Sequence, residues 1–498
     1  MSPTSTLYPD GLINHQWLQK HQELVPSVYL CFFTLVSDPN LATLSDNKLK
    51  ADINDIRAAI AESGYRTKLA VALMSDNTTV RNSVREGIQD RLENIRKGTG
   101  LDTGRSIFYI APRESPAKLT EAADTILTAL YPQSLEYYKD LLKHIRKKRG
   151  RSIIPQPTLP PTSGTSQTLS HPGWYVRYDF KTAVFSEFRQ EMDAALRAYE
   201  QAYDGLLSQD VWDLIPSWSP RWNEARLLSD ILVIRILRCF LWNEQTSMAV
   251  SRWQVHRNRI ADFVDRRGRG TENYGWKAWE ARWSLVMANL MERMSIQGLQ
   301  SPNVIHLEAE KGIPRDRLYP WELMHHTGYW YRQAARHTAQ RRALAYAMPE
   351  DDRRPPSTSP ETSATNNAYT YDTYLCPEPH EELPLDKPGV DYSRLIIDYL
   401  AIARTQFQDR GQHRLAAEIA LDCAREAAKL KQWDDVTALL LPIWEDMPFR
   451  KEGWTDITED INWTLRPAAA KKGLGDVVLT IDWELLHRSE PSRTVPPA

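Results

Sequence analysis

Apolar residues recur every three or four positions along much of the chain, and this spacing predicts helices. The clearest case runs from Trp174 to Leu207, which has no internal Gly or Pro before Gly205. Residues three and four positions apart share one face of an α-helix, so this segment has one apolar face. The residues that form it are Phe180, Val184, Phe188, Met192, Leu196, Tyr199, Tyr203 and Leu206.

Polar residues crowd together between Gln190 and Asp193, near the middle of this segment. We expect a tight turn there, and therefore an antiparallel helix pair. Ala195 and Tyr199 place a small residue one helical turn before an aromatic one, which lets two helices approach closely and then fills the gap. Because a lone helix pair cannot bury its apolar face, the pair predicts further helices stacked on it.

The same pattern follows in the next part of the chain. Trp222–Trp242 predicts a strongly apolar helix, and Ser247–Val264 predicts its return helix, in which Ala249 and Trp253 repeat the small-then-aromatic spacing. Further helices are predicted at Trp276–Met294, Tyr329–Met348, Tyr392–Gln408, Arg414–Leu430 and Trp433–Trp444, with helical periodicity continuing over Trp454–Leu486. No fixed sequence period is detectable, so we expect an irregular tetratricopeptide-like α-solenoid.

Strand-like and helix-like patterns alternate three times near the N-terminus. The apolar runs Ser27–Val36, Lys68–Met74 and Ser106–Ile110 predict strands, the first two of them buried on both faces. Helical periodicity follows each run, at Lys48–Ser63, Arg81–Arg96 and Leu119–Ile145, the last as one or two helices. This order favours a parallel sheet with helices on its faces, which is a Rossmann-like α/β domain.

Such a domain often binds nucleotides through a glycine-rich phosphate loop after a strand. Pro39–Asp46, which follows the first strand, contains no glycine, and the glycine-rich segment Lys97–Ser106 comes before a strand. In that segment Thr103 stands where the second glycine is required, and Arg105 stands in place of the lysine. A phosphate loop must follow a strand so that the next helix dipole faces the anion. We therefore interpret the segment as a surface loop.

Composition shifts divide the chain into seven parts. We predict an N-terminal segment at 1–25, the α/β domain at 26–150, a Pro- and Ser-rich linker at 151–172, an α-solenoid at 173–347, a disordered or surface loop at 348–389, a continuation of the solenoid at 390–487 and a loose tail at 488–498. The predicted fold class is thus an α/β domain followed by an α-solenoid.

Composition and charge exclude several classes of protein. The net charge of −2 provides no general attraction to nucleic acid or to an anionic membrane. Four scattered cysteines without a CxxC pair favour a reducing compartment. The longest apolar run, Ile231–Trp242, is shorter than the ~20 residues that a bilayer requires, and it contains Arg235 and Arg238. No signal peptide is visible, so we expect a soluble chain whose membrane contact is peripheral or through partners.

The basic segment Lys143–Arg151 has two interpretations. It matches a nuclear signal or a contact with an anionic surface. It also matches a helix C-terminus, where the helix dipole favours cations and where Gly150 would end the helix. We favour the helix end, because it needs no further assumption.

Candidate chemistry is sparse along the whole sequence. HExxH, GxSxG and a GxGxxG segment after a strand are absent. His325 and His326 fit a loop or, less favourably, a ligand role, and Cys376 with His380 lacks the further ligands of a zinc site. We therefore predict no catalytic, cofactor-binding or metal-binding residues.

Four segments, in order along the chain, resemble a known family. LVPSVYLCFF at Leu24–Phe33 resembles a first strand, and FKTAVFSEFRQEMDAALRAYEQAY at Phe180–Tyr203 resembles a hallmark segment. GYWYRQAARHTAQRR at Gly328–Arg342 resembles a second hallmark, a tyrosine-rich helix with a double Ala and a following Arg, and Glu452–Leu486 resembles a third shared segment. The family is the foie gras domain family of subunit 11 of the trafficking protein particle (TRAPP) complex.

The resemblance implies a non-catalytic scaffold subunit of a vesicle-tethering complex that acts in endoplasmic reticulum to Golgi transport and in autophagy. It implies other TRAPP subunits as partners, a Rab GTPase as an indirect one, and a cytoplasmic location peripheral to Golgi and intermediate membranes. Family members continue into a region resembling β-sandwiches, so the sequence is a short form or a truncated gene model. The alternatives are a helical-repeat adaptor of another complex and a GTPase-like switch built on residues 26–150.

Overall fold

A computed structural model describes most of the chain. The described residues are 12–13, 15–36, 38–75, 82–111, 116–151, 171–216, 220–267, 269–294, 324–355, 370–446 and 453–487. These residues are mostly helical, with one small parallel sheet near the N-terminus. The chain divides into two compact units, Met1–Cys239 and Phe240–Ala498.

The first unit begins with the predicted alternation of strands and helices. Its elements are α1 (His15–Gln19), a π-helical turn (Lys20–Leu24), β1 (Val28–Leu35), α2 (Pro39–Glu62), β2 (Lys68–Ser75), α3 (Asn82–Thr99), β3 (Ile107–Ile110) and α4 (Pro116–Gly150). The strands pair in parallel in the order β1-β2-β3, with Tyr29 opposite Leu69 and Val71 opposite Ile107. The predicted parallel sheet is confirmed.

Helices cover both faces of this sheet. Successive side chains of a strand point to opposite faces. Val71 of β2 therefore packs with Ile53 of α2 and Ile95 of α3 on one face. Ala70, its neighbour, packs with Ile126 of α4 on the other face. The core of this part thus lies on both sides of β2.

The prediction that β1 is buried on both faces is wrong. Because β1 lies at an edge of the sheet, Tyr29 and Phe32 are 48% and 57% exposed. In the central strand β2, by contrast, Ala70–Leu73 is fully buried. A run of apolar residues indicates a strand but does not tell a central position from an edge position.

Two helices are longer than their apolar periodicity predicts. α2 begins at Pro39 because the Asp38 side chain accepts a hydrogen bond from the backbone N–H of Asn40, and proline suits the first helical turn. α4 is a single helix that extends to Gly150, with Pro132 inside it. The basic segment at 143–151 therefore lies at a helix C-terminus, as favoured from the sequence.

The predicted helix pair is present in the first unit as α5 (His171–Phe188) and α6 (Met192–Leu206), which pack against each other. The turn between them confirms the predicted break, and both Ala195 and Tyr199 are fully buried. A π-helical turn at Gln209–Asp213 occupies part of the predicted loop before α7 (Pro220–Trp242).

Successive helices pack on one another in the second unit. Its helices are α8 (Thr246–Arg266), α9 (Tyr274–Arg293), α10 (Thr327–Tyr346), the one-turn α11 (Pro379–Glu382), α12 (Tyr392–Asp409), α13 (His413–Lys429), α14 (Trp433–Asp446), α15 (Thr455–Lys471) and α16 (Gly475–His487). α10 packs on α9 and α12, and from α12 to α16 each helix packs on the next. The periodicity predicted over Trp454–Leu486 belongs to two helices.

Part of the predicted disordered or surface loop at 348–389 is buried. Within 370–389, Asp372 and Glu382 are buried, and a Cβ added at Gly275 would overlap the carbonyl oxygen of Asp372. The composition was misleading because the acidic residues of this segment include a buried ion-pair partner. Residues 356–369 of the loop, 152–170 of the predicted linker and the tail at 488–498 lie outside the described residues.

Five helix-to-helix turns in the described part of the chain share one geometry. The middle residue of each is left-handed: Gln190 (φ 61°), Glu244 (φ 58°), Gly411 (φ 71°), Lys431 (φ 58°) and Gly473 (φ 73°). Its N–H donates to the carbonyl three residues earlier, and the next N–H donates to the carbonyl five residues earlier. This is the Schellman motif, which satisfies the last carbonyls of a helix. The hairpins therefore repeat in geometry although their sequences show no period.

Two glycines near the start of α16 test this geometry. A Cβ added at Gly473 or at Gly475 meets no atom within 4 Å, but only Gly473 has a left-handed φ. We expect Gly473→Ala to lower the free energy of unfolding by about 1 kcal/mol, because a Cβ is disfavoured in that conformation. Gly475→Ala should leave it unchanged or raise it. Urea unfolding followed by circular dichroism measures both, and equal losses would contradict the turn geometry.

Candidate functional site

Several groups that could carry chemistry are shielded from solvent in the part of the chain that the structure describes. Within the residues that the structure describes, no three His, Cys, Asp or Glu side chains form a group that could hold a metal ion. Burial raises the pKa of the thiols of Cys239 and Cys376 to about 12 and that of Cys423 to about 11. The reactive thiolate form of these residues is therefore rare at neutral pH.

His326 caps a helix. It is buried, and its Nδ1 accepts a hydrogen bond of 3.1 Å from the backbone N–H of Gly328 at the start of α10. Burial, with a smaller contribution from Arg410, lowers its pKa to about 3. The ring is thus neutral at physiological pH, which suits an acceptor at a helix N-terminus. His325 lies 3.4 Å from the hydroxyl of Thr246.

The connection between β1 and α2 does not have the form of a phosphate-binding loop. The carboxylate of Asp38 accepts from the N–H of Asn40 at 2.9 Å and occupies the helix N-terminus where a phosphate would bind. The glycine-rich segment Lys97–Ser106, predicted as a surface loop, begins with the last residues of α3. It then leads into β3 through a turn, in which the carbonyl of Asp102 accepts from the N–H groups of Ser106 and Ile107. The connection after β2, at 76–81, lies outside the described residues.

Glu187 joins three helices in the first unit. Its carboxylate on α5 accepts from the Arg235 guanidinium of α7 at 2.6 Å and from the Tyr199 hydroxyl of α6 at 2.5 Å. Arg238 lies 3.3 Å away as a second cation. The hallmark segment at 180–203 therefore contains the acid of a buried cluster, and the arginine of the apolar run 231–242 is its partner.

Glu280 has a similar role in the second unit, where its carboxylate accepts hydrogen bonds from two cations. It is buried on α9 and accepts from Arg257 of α8 at 2.6 Å and from Lys277 at 2.8 Å. His337 of α10 lies 3.3 Å from its other side. Glu280 thus joins α8 to α9 through its hydrogen bonds and lies against His337 of α10.

The adjacent arginines of the second hallmark, Arg341 and Arg342, bind different acids. Arg341 donates twice to the buried Glu382, at 2.6 Å each, and Tyr392 donates to the same carboxylate at 2.8 Å. Arg342 donates twice to Glu426 of α13, at 2.7 and 2.8 Å. α10 is thereby tied to α11, α12 and α13.

The charge state of Glu426 follows from this pairing. Burial opposes its ionisation, but hydrogen bonds from Arg342 and Lys429 outweigh burial and lower its pKa to about 2.

The double Ala of the same hallmark has a packing role, since Ala335 lies in the apolar cluster with Leu400 and Ala403 of α12. The hallmark residues therefore hold helices together.

Sequence reasoning missed the acids of these clusters. Glu187, Glu280, Glu382 and Glu426 each stand on an otherwise buried surface. For Glu187, Glu280 and Glu426 the available signal was a charged residue at an apolar position of a predicted helix, whereas Glu382 lies in a segment predicted as a loop. Such a charge is retained in a core only when a partner of opposite charge meets it.

An apolar stripe on α16 faces solvent. Leu479, Trp483 and Leu486 are 71%, 66% and 75% exposed and follow one another at spacings of four and three, so they share one face of the helix. Ile481 points the other way and is buried with Leu465 of α15. We call the three exposed residues the α16 stripe. Exposed apolar patches with tryptophan are typical of protein-binding surfaces.

Among the helices that the structure describes, none combines the length and the apolar character that crossing a membrane requires.

Comparisons with known proteins identify relatives over nearly the whole chain. Residues 221–488, more than half of the chain, match the family described as Foie gras liver health family 1. Residues 1–119 match the family described as Trafficking protein particle complex subunit 11 N-terminal domain. The chain is 21% identical to trafficking protein particle complex subunit 11 of Gallus gallus and of Homo sapiens, over 97% of its own length and 40% of theirs. It spans about two fifths of these relatives.

The resemblance read from the sequence is confirmed by these matches. The segments Gly328–Arg342 and Glu452–Leu486 lie inside the foie gras match. The segment Phe180–Tyr203 lies between the two family matches. The foie gras match at 221–488 covers the later part of the solenoid predicted at 173–347, the loop predicted at 348–389 and the solenoid continuation predicted at 390–487.

Substitution of two adjacent acids, one buried and one exposed, tests whether the buried ion pairs stabilise the fold. Glu382 is fully buried under Arg341 and Tyr392, whereas Glu381 is exposed. We expect Glu382→Gln to lower the free energy of unfolding by about 3–5 kcal/mol, because it leaves the Arg341 charge buried without a counter-charge. Glu381→Gln should change it by less than about 0.5 kcal/mol. Urea unfolding followed by tryptophan fluorescence separates the two, and a small loss in Glu382→Gln would show that the pair is not held as described.

His326 makes the stability of the fold depend on pH. Its pKa falls from 6.5 to about 3 on folding, so protonation opposes folding. Its contribution is complete above pH 6.5 and is lost as the pH falls towards 3. We expect His326→Asn, which keeps a capping acceptor, to reduce the decrease in Tm between about pH 7 and about pH 5. His413→Asn, at an exposed histidine, is the control, and an unchanged decrease in His326→Asn would contradict the assignment.

Proposed function

The chain belongs to the Foie gras liver health family 1, and we propose on this premise that it is a non-catalytic scaffold subunit of a TRAPP vesicle-tethering complex. In this role it acts in endoplasmic reticulum to Golgi transport and in autophagy. It is cytoplasmic and associates peripherally with Golgi and intermediate membranes. Its direct partners are other TRAPP subunits, and a Rab GTPase is an indirect one.

The observation that carries the proposal is the relationship to TRAPP subunit 11. Relatives of that name align with 97% of the chain, and the subunit 11 N-terminal match precedes the foie gras match. A match in one short motif would leave the function open. Similarity over the whole chain, in two successive family regions, favours a common role.

The helix packing supports a scaffold role. From α12 to α16 each helix of the second unit packs on the next, and the repeated Schellman turns reverse the chain between helices. We propose that these helices form the irregular α-solenoid expected from the sequence. Solenoids present extended surfaces for partners.

Catalysis is assigned to other subunits in this proposal. Four acids, three of them buried and one largely covered, are each paired with cations: Glu280, Glu382, Glu426 and Glu187. A GTPase-like switch on the α/β domain is disfavoured because the carboxylate of Asp38 caps the helix after β1. Nucleotide exchange on the Rab GTPase belongs to the small core subunits.

We place one subunit contact on the α16 stripe. From α12 to α15 each helix packs on the next one along the chain, and α16 buries Ile481 against α15 but leaves Trp483 exposed. The occupant that continues this packing is an apolar helix face of another TRAPP subunit. Tryptophan in such a position is typical of the residues that dominate binding energy.

Co-purification from the organism's own cells tests the proposal. The tagged full chain should recover the small TRAPP subunits. Leu479→Glu should reduce their recovery about tenfold, because it places a charge in the α16 stripe. Thr480→Glu adds the same charge at the exposed neighbouring position outside the stripe and should recover them as the wild type does.

The outcomes separate the function from the contact. Consistent absence of the small subunits from the wild-type preparation would overturn the TRAPP assignment and favour an adaptor of another complex. Equal recovery by Leu479→Glu and the wild type would retain the assignment and remove the contact from the α16 stripe.

A further inference from the structure

The outer edge of β3 lies in a cavity of the first unit. Within the described part of the sheet, β3 pairs with β2 on one side and with no strand on the other. A cavity of about 550 Å³ adjoins the strand, and none of the described residues that line it belongs to β1 or β2. Both helical layers and the strand itself contribute to its lining: Leu92 and Glu93 of α3, Ile107–Ile110 of β3, and Ala122, Thr125 and Ile126 of α4. We call this cavity the β3 groove.

The backbone of Ile107 shows which polar groups of β3 point to this outer side. Its N–H donates to the carbonyl of Asp102, and its carbonyl accepts from the N–H of Gly104, both at 3.0 Å and both outside the sheet. Successive residues of a parallel strand direct these groups to opposite sides. Tyr109, two residues further on, therefore also directs its N–H and its carbonyl away from β2.

The outer edge is paired at Ile107 and open at Tyr109. At Ile107 the preceding turn takes the place of a fourth strand, since Thr103 forms a parallel bridge with it. Among the described residues, no backbone hydrogen bond outside the sheet involves Tyr109. Unpaired N–H and carbonyl groups at a sheet edge are a template for a strand of another chain.

The walls of the β3 groove suit an extended chain with apolar side chains. A helix satisfies its backbone groups internally, so only an extended chain can form hydrogen bonds with a strand edge. Side chains of an added strand point alternately to the two faces of the sheet. On one face they meet Leu92 of α3, and on the other they meet Ala122 and Ile126 of α4.

The charge at this groove is negative. Among the described residues that line it, the charged ones are Asp90 and Glu93 of α3. Glu93 lies 2.8 Å from Arg96, whereas Asp90 is exposed and forms no ion pair with a described residue. A lysine or arginine beside the apolar residues of the added strand supplies the complementary charge.

We propose that the β3 groove binds an extended segment of another protein, with apolar residues next to a lysine or arginine. The segment forms hydrogen bonds with the N–H and the carbonyl of Tyr109 and so continues the sheet beyond β3. In this mode of recognition the backbone hydrogen bonds provide affinity, and the contacts of alternate side chains provide specificity. The contact is separate from the α16 stripe and does not depend on the proposed function.

Fluorescence anisotropy of a labelled peptide, with five valines between two lysines, tests the groove on the full chain. Thr125→Trp places a large side chain in the groove and should weaken binding by at least about tenfold. Thr128→Trp is the matched control, because Thr128 is also exposed on α4 but does not line the groove. It should change binding by less than about twofold.

Two changes to the peptide separate strand addition from apolar adhesion. N-methylation of every valine removes the N–H donors of a strand and should abolish binding, because the apolar side chains alone do not pair with Tyr109. Replacement of both lysines by glutamate should weaken binding through repulsion from Asp90.

Reversal of one charge on the protein checks the same contact. Asp90→Arg should weaken binding of the lysine peptide by about fivefold, since the charge is exposed and partly screened. Asp55→Arg makes the same change at an exposed position of α2 and should leave binding unchanged. Equal affinity of the two variants would overturn the charge assignment.

Hydrogen exchange followed by mass spectrometry locates the bound peptide. The segment that contains Tyr109 should exchange more slowly in the complex, because its outward N–H becomes paired. Failure of the wild type to bind the peptide, or equal affinity in Thr125→Trp, would overturn the proposal. Retained binding of the N-methylated peptide would also overturn it, as would slow exchange of the Tyr109 amide in the free chain, because the chain itself would then cover the edge.

Discussion

The constraint on which this structure depends is that a charge inside a helix stack needs a partner. A charge removed from water is strongly destabilising when it is alone and close to neutral when it is well paired. Arg341 and Arg342 are adjacent on α10, yet one meets Glu382 and the other meets Glu426. A different neighbouring helix would leave one of them unpaired. These pairs therefore favour one arrangement of helices over others that bury as much apolar surface.

The turns between helices also determine which helices pack together, and they do so through the conformation of the backbone. An apolar helix face can pack on many partners, but a Schellman turn reverses the chain after one left-handed residue and brings the next helix alongside. Glycine occupies that position at Gly411 and Gly473, whereas Gln190, Glu244 and Lys431 accept the conformation with a side chain. A turn that different residues can form leaves no sequence repeat, and this is why the hairpins repeat in space without a sequence period.

The spacing of apolar residues predicted those features of the fold that depend only on nearby positions in the chain. The alternating strands and helices, the turn near Gln190 and the small-then-aromatic packing of Ala195 and Tyr199 all follow from local spacing. The exposed edge of β1 was missed because exposure depends on strand order, which is not a local property. The burial of Glu382 was missed for a related reason, since its partner Arg341 lies 41 residues away in the chain.

The same rule explains an arginine inside a strongly apolar helix. Arg235 keeps its charge inside the first unit because Glu187 meets it at 2.6 Å. An unpaired charge at this position of α7 would be strongly destabilising, because the residues around it are buried. The pair therefore selects which face of α7 packs towards α5, a choice that the apolar residues of α7 alone would leave open.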